Sequence, residues 1–65
     1  MQLQINGDSF DFHGTTVTDL VAELKLSERR IAIELNQEIL PRYDYPDTHL
    51  KEGDCLEIIH AIGGG

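Results

Sequence analysis

The chain has 65 residues, enough for one domain with a thin core, because a chain this short buries only about 60% of the surface its unfolded form exposes. That leaves no room for a deep catalytic cleft beside the core, and hydrophobic residues at 40% with charged residues at 26% give a soluble globular balance. A formal net charge of −7 argues against nucleic acid as a partner and for basic protein surfaces, while a lone Cys55 rules out an internal disulfide and a tetrahedral multi-cysteine metal site.

Met1, Leu3 and Ile5 alternate with Gln2, Gln4 and Asn6, the period of a half-buried strand. Asn6-Gly7 is a hairpin turn signal, since both residues tolerate positive φ. Phe10 and Phe12 then alternate with Ser9, Asp11 and His13 in a second, antiparallel strand that Gly14 breaks. Leu3, Ile5, Phe10 and Phe12 share the core face.

Thr16-Val17-Thr18-Asp19 has the form of a capping box with Asp in place of Glu. Val17, Leu20, Val21 and Leu24 fall on one helix face, and the spacing predicts a helix running to about Lys25, a basic residue in its last turn, with Leu26 under its end. Ser27 to Arg30 is a polar connection. Ile31, Ile33 and Leu35 form a third strand, Asn36-Gln37 a turn, and Glu38-Ile39-Leu40 a short strand that Pro41 ends by removing a ladder donor.

From Arg42 to Leu50 the pattern is irregular, with space for at most one helical turn and with Tyr43, Tyr45 and Leu50 as candidate core plugs. Gly53-Asp54 is a tight turn into a last strand, Cys55 to His60, with Leu56 and Ile58 inward and Cys55, Glu57 and Ile59 outward. The order ββαβββ buries one core only if the helix lies across one face of a mixed sheet. The first and last strands are expected side by side and parallel at its centre. Phe10, Phe12, Leu20, Leu24, Ile33, Leu35, Leu56 and Ile58 are the expected core.

The chain ends in Ile62-Gly63-Gly64-Gly65. Three glycines are costly to order and add nothing to a core. They suit a thin, flexible tail, residues 62–65 after a domain of 1–61, that threads a narrow channel and brings its carboxylate to bound ATP. A frayed terminus is the plainer reading of the same glycines.

The amino terminus has neither a basic n-region nor an apolar h-region, and no run reaches the length of a membrane span, so a cytoplasmic protein without a membrane role is expected. His13, His49 and His60 lack ligand spacing, and no metal site is expected. No Ser/His/Asp set, paired-carboxylate site or phosphate loop suggests a catalytic residue. Cys55 reads as a small apolar filler, and Arg42 either as part of the segment it ends or as a solvated residue after a turn.

Taken together, the strand order, the stretch Ile33-Glu34-Leu35-Asn36-Gln37-Glu38-Ile39-Leu40-Pro41-Arg42, the Thr16-Val17 helix start, the Gly53-Asp54 turn and the terminal Gly64-Gly65 resemble the ThiS family of sulfur carriers in thiamine thiazole biosynthesis. The resemblance covers essentially the whole chain and implies an α+β, ubiquitin-like β-grasp fold. The small subunit of molybdopterin synthase, with a similar fold and tail, is usually longer and lacks this Asn-to-Pro-Arg segment. Ubiquitin carries Arg before its Gly-Gly, and β-grasp ferredoxins need several cysteines.

The resemblance further implies that the protein is a cosubstrate rather than an enzyme. A ThiF-like adenylyltransferase would adenylate the Gly65 carboxylate with ATP, and a cysteine desulfurase would supply sulfur as persulfide. A ThiG-like thiazole synthase would consume the resulting thiocarboxylate. ATP belongs to the partner; no cofactor is bound permanently, and the free carrier is expected to be a monomer. Gly64 and Gly63 would thread the channel, and Ile59, Ile62 and Glu57 would dock the partner. The competing readings are a ubiquitin-like modifier joined to lysines through Gly65, a carrier for molybdopterin or tRNA thiolation, and an interaction domain with an inert tail.

Overall fold

The computed structural model describes residues 1–60. The chain runs through β1 (Gln2–Ile5), β2 (Asp8–Asp11), α1 (Val17–Glu23), β3 (Ile31–Leu35), β4 (Glu38–Leu40), a 3₁₀ helix (Arg42–Asp47) and β5 (Cys55–His60). The five strands form one sheet in the order β2-β1-β5-β3-β4. β1 and β5 run parallel, with Gln4 opposite Cys55 and Ile5 opposite Leu56; the other pairings are antiparallel. This is the expected mixed sheet with its first and last strands adjacent, and β5 is its middle strand.

Both hairpins turn through positive φ at two successive residues, Asn6 (52°) and Gly7 (87°) in one, Asn36 (50°) and Gln37 (72°) in the other. That is the geometry whose twist matches the flanking strands. The first uses the residues best suited to it, whereas the second places a glutamine where glycine costs least.

Thr16 caps α1. Its hydroxyl accepts from the Asp19 amide (3.2 Å), and Asp19 Oδ2 accepts from the amides of Thr15 and Thr16, both at 2.9 Å. These bonds hold the Asp19 carboxyl below the ordinary carboxylate range, because they favour its charged form. Gly14 matters here for lack of space. A Cβ on it would lie 2.6 Å from the Asp19 Cβ and 2.8 Å from the Phe12 ring.

The helix ends earlier than the periodicity predicts. Lys25 is not in its last turn but just beyond it, at φ 62°. The Lys25 amide donates to the Ala22 carbonyl and the Leu26 amide to the Val21 carbonyl. These two bonds close the helix in a Schellman motif, with lysine where glycine is usual. Leu26 then folds back against the core as expected.

The core is Leu3, Phe12, Val17, Leu20, Val21, Ile33, Tyr45, Leu50, Leu56 and Ile58. Phe10, Leu24 and Leu35, expected inside, are only partly buried and pack on its margin. Each fully buried aliphatic or aromatic side chain contributes roughly 1.5–3 kcal/mol.

The segment after Pro41 holds more structure than expected. Its 3₁₀ helix covers six residues. Tyr45 and Leu50 plug the core, but Tyr43 does not: it is 80% exposed. A 3₁₀ helix repeats every three residues, so the Tyr43 and Tyr45 side chains diverge. The Val17 amide donates to the Thr48 carbonyl (3.0 Å) and the Leu50 amide to the Thr15 carbonyl (2.9 Å), tying this segment to the start of α1. Among the described residues no helix is long and apolar enough to cross a membrane.

Candidate functional site

β5 ends at His60, five residues before Gly65 in the sequence, and the fold holds the strand from both sides. On one side five residues of β3 pair with it, from Leu35 opposite Leu56 to Ile31 opposite His60. On the other side β1 ends at Ile5, and Asn6 continues its work. The Asn6 amide donates to the Leu56 carbonyl (2.9 Å). Its side chain accepts from the Ile58 amide at 2.7 Å and donates to the Ile58 carbonyl at 3.3 Å. A side-chain carboxamide thus replaces a peptide unit in the ladder.

At the other end of β5, Asn36 does something similar. Its backbone amide donates to the Cys55 carbonyl (2.7 Å), and its Oδ1 accepts from the Cys55 amide (3.0 Å). Its Nδ2 also donates to Asp54 Oδ1 (3.1 Å). Both asparagines occupy left-handed turn positions, so their roles as turn formers and as clamps of β5 coincide.

The face of β5 away from the core is open. Glu57 and Ile59 lie on it as expected, with Ile59 56% exposed. The register sets Ala32 opposite Ile59, and Glu34 between Glu57 and Ile39. Ile39, 71% exposed, therefore joins Ile59 and Ala32 on the open face. Periodicity in a three-residue strand was too short a signal to reveal it. Glu34 and Glu57 face each other directly, a like-charge pairing that works against the sheet. Ile62, Gly63, Gly64 and Gly65 lie outside the described residues.

Cys55 is exposed and not a filler. Alternation along β5 puts it on the open face, where its Sγ lies 3.8 Å from Gln4 Oε1 and 3.7 Å from the Gly53 carbonyl. Arg42 also does more than meet solvent. It donates to the Arg29 carbonyl at 3.1 Å, and its guanidinium lies 5.9 Å from the centre of the Tyr45 ring. Arg42 and Tyr45, with Thr18, Val21, Ser27 and Pro46, line a cleft of about 180 Å³ between α1 and the 3₁₀ helix. That is below the roughly 300–1,000 Å³ of sites that enclose small-molecule ligands. Among the described residues no three His, Cys, Asp or Glu side chains converge to hold a metal ion.

β5 is thus the middle strand of the sheet, clamped at both ends and open on one face. The model of the ThiS family matches residues 3–65. The chain belongs to the ThiS family.

A ThiS-family sulfur carrier protein from Bacillus subtilis is 35% identical over 65 residues, covering 97% of this chain and 98% of that protein. The crystal structure of a thiamine biosynthesis protein (ThiS) from Geobacter metallireducens superposes with a TM-score of 0.84 at 35% identity, covering all of both chains. The ubiquitin-like β-grasp fold is thereby shown. A thiazole synthase from Paramagnetospirillum magneticum is 42% identical over 66 residues. This chain spans about a fifth of that protein's length (20%), so a ThiS-like domain is joined there to a larger body.

Proposed function

We propose that this ThiS-family chain is a sulfur carrier for thiamine biosynthesis and that the Gly65 carboxylate is the atom group that carries the sulfur. The observation that bears most weight is the ThiS family match running through Gly65. The clamped β5, ending five residues short of Gly65, supports it as a rigid base for a glycine strip.

A terminal carboxylate is ionised at neutral pH, since its ordinary pKa is about 3.3–3.7. Its charge repels nucleophiles and its oxygen leaves poorly. Attack of that oxygen on the α-phosphorus of ATP releases pyrophosphate and leaves an acyl adenylate. The terminal sulfur of a persulfide then attacks the acyl carbon and AMP departs. A thiol splits the resulting acyl disulfide, leaving the thiocarboxylate on Gly65 and a disulfide on the donor. A ThiF-like adenylyltransferase performs the first step, a cysteine desulfurase feeds the second, and a thiazole synthase receives the sulfur. The ThiS-like domain within the Paramagnetospirillum magneticum thiazole synthase supports that last partnership.

Gly63 and Gly64 thread the partner's channel because no Cβ widens the strip. Ile59, Ile62 and Glu57 dock the partner, with Ile39 added by the sheet register. The deciding experiment is intact-mass measurement after incubation with ATP, the adenylyltransferase and a persulfide donor. Exchange of one oxygen for sulfur, lost in a chain lacking Gly65, is the expected result. Slower-migrating lysine conjugates in its place would make the chain a modifier. Gly64→Ala should lower the adenylation rate at least tenfold while thermal unfolding stays unchanged; adenylation at the normal rate would remove the steric argument.

A further inference from the structure

Positive charge is scarce in this chain and unevenly placed. Four of its five lysines and arginines are Lys25, Arg29, Arg30 and Arg42, in a chain with 12 acids. The fold gathers them. The Schellman closure turns the chain at Lys25, and the Arg29 amide donates to the Leu26 carbonyl at 3.0 Å, making a tight loop. Arg42 reaches across to donate to the Arg29 carbonyl. All four residues are exposed. Among the described residues no carboxylate lies within ion-pair distance of Lys25, Arg29 or Arg42. Glu28 is the one acid within this loop.

The register shows where this loop sits. Ile31 follows Arg30 directly and pairs with His60, the end of β5. The basic loop therefore flanks His60, the last described residue of β5, after which the glycines follow in sequence. The fifth cation, Lys51, lies at the opposite end of β5, next to the turn that begins it.

We infer that this basic collar at the tail exit docks on an acidic protein surface around the channel that receives the tail. This deepens the carrier reading and rests on it. The open face carries Glu34 and Glu57 and fits a basic surface, so the two together fix the orientation of docking and not only its strength. The nucleotide itself is a poor match for the collar. Five residues follow His60, and extended in a channel they span up to about 17 Å. The phosphate attacked by Gly65 then lies far inside, while the collar remains at the mouth.

The experiment compares Arg29→Glu with Lys51→Glu, two variants of identical net charge altered at opposite ends of β5. Both are incubated with the adenylyltransferase and ATP, and the association rate is followed by stopped flow at low and high salt, with circular dichroism as the check on folding. The collar predicts that Arg29→Glu slows association about tenfold at low salt and little at high salt, the pattern of a rim charge. Lys51→Glu should associate as fast as the unaltered chain or faster. The milder Lys25→Gln carries the same test if Arg29→Glu unfolds, with a slowing of about threefold.

Equal slowing in Arg29→Glu and Lys51→Glu overturns the collar, as does an unchanged or faster rate in Arg29→Glu. A raised KM for ATP with the association rate intact also overturns it and assigns the arginines to the nucleotide. If the unaltered chain is not adenylated at all, the carrier reading fails, and the collar with it. Adenylation of the unaltered chain with no effect of Arg29→Glu removes the collar alone.

Discussion

Both faces of β5 carry aliphatic residues, and these meet opposite fates. Leu56 and Ile58 point into the core and are almost wholly covered. Ile59, one residue on, is more than half exposed on the other side. Alternation alone separates them, and no difference in hydrophobicity does. The inner face is covered by α1 and the 3₁₀ helix through one core cluster, and its apolar residues stabilise the fold. The outer face leaves most of Ile59 and Ile39 in water and bears the unfavourable Glu34–Glu57 juxtaposition. Apolar side chains kept in water beside like charges suit a surface that something else covers.

The comparison breaks most visibly on the inner side. Leu56→Ala removes a 2% exposed side chain from a thin core. A loss of about 2–5 kcal/mol is expected, enough to unfold much of so small a domain, and urea titration would measure it. Loss below about 1 kcal/mol would mean that the core is far looser than its packing indicates.

On the outer side the readouts should exchange. Ile59→Asp is expected to weaken adenylyltransferase binding about tenfold or more by titration calorimetry, as truncation at an interface anchor does, with the urea midpoint unmoved. Unchanged affinity would return Ile59 to the ordinary class of exposed residues.

Asn6 sharpens the comparison because it serves both sides. Asn6→Ala removes two bonds to Ile58 while leaving every apolar contact of β5 intact. About 1–3 kcal/mol of stability should be lost, and amide exchange should quicken at Ile58 before it does at Cys55, where Asn36 still holds. Uniform exchange along the strand would show that Asn6 only forms the turn.

The smallest effect concerns pH. Asp19 has a folded pKa below its ordinary 3.8, chiefly through its bonds from the Thr16 and Thr15 amides. A carboxyl shifted down contributes stability fully above its unfolded pKa and loses it as pH falls through the folded pKa. The cap should therefore hold unchanged from neutral pH to about pH 5 and weaken below pH 3.8. Asp19→Asn should flatten that acid limb of the unfolding midpoint; an identical acid limb in the variant would place the titration elsewhere.

Much of this was legible in the residues. Period-2 alternation placed β1, β3 and β5 and the inward pair Leu56 and Ile58, because a strand's two faces are decided by its own backbone. The capping box at Thr16 and the Asn6-Gly7 turn were legible for the same reason: each is a contact among residues within four positions of one another. The terminal glycines are plain in the sequence too, but they lie outside the described residues, and their role stands as a proposal. The end of α1 was not legible. Lys25 looks like a helix-terminal base, and only the packing of Leu26 against the core draws the backbone into the left-handed turn. Tyr43 and Tyr45 look alike in sequence, and the 3₁₀ repeat separates them.

What the sequence by itself determined was therefore local: element periods, caps and turns. The tertiary structure decided everything that depends on register between distant segments. It set Ala32 opposite Ile59, brought Ile39 onto the open face, let the Asn6 carboxamide stand in for a peptide at Ile58, and placed the Arg29 loop beside the end of β5. The physical reason is that strand pairing joins residues far apart in the chain through backbone groups common to all of them. Side-chain order along the chain states which way each residue faces, and only the assembled sheet states which residue it faces beside.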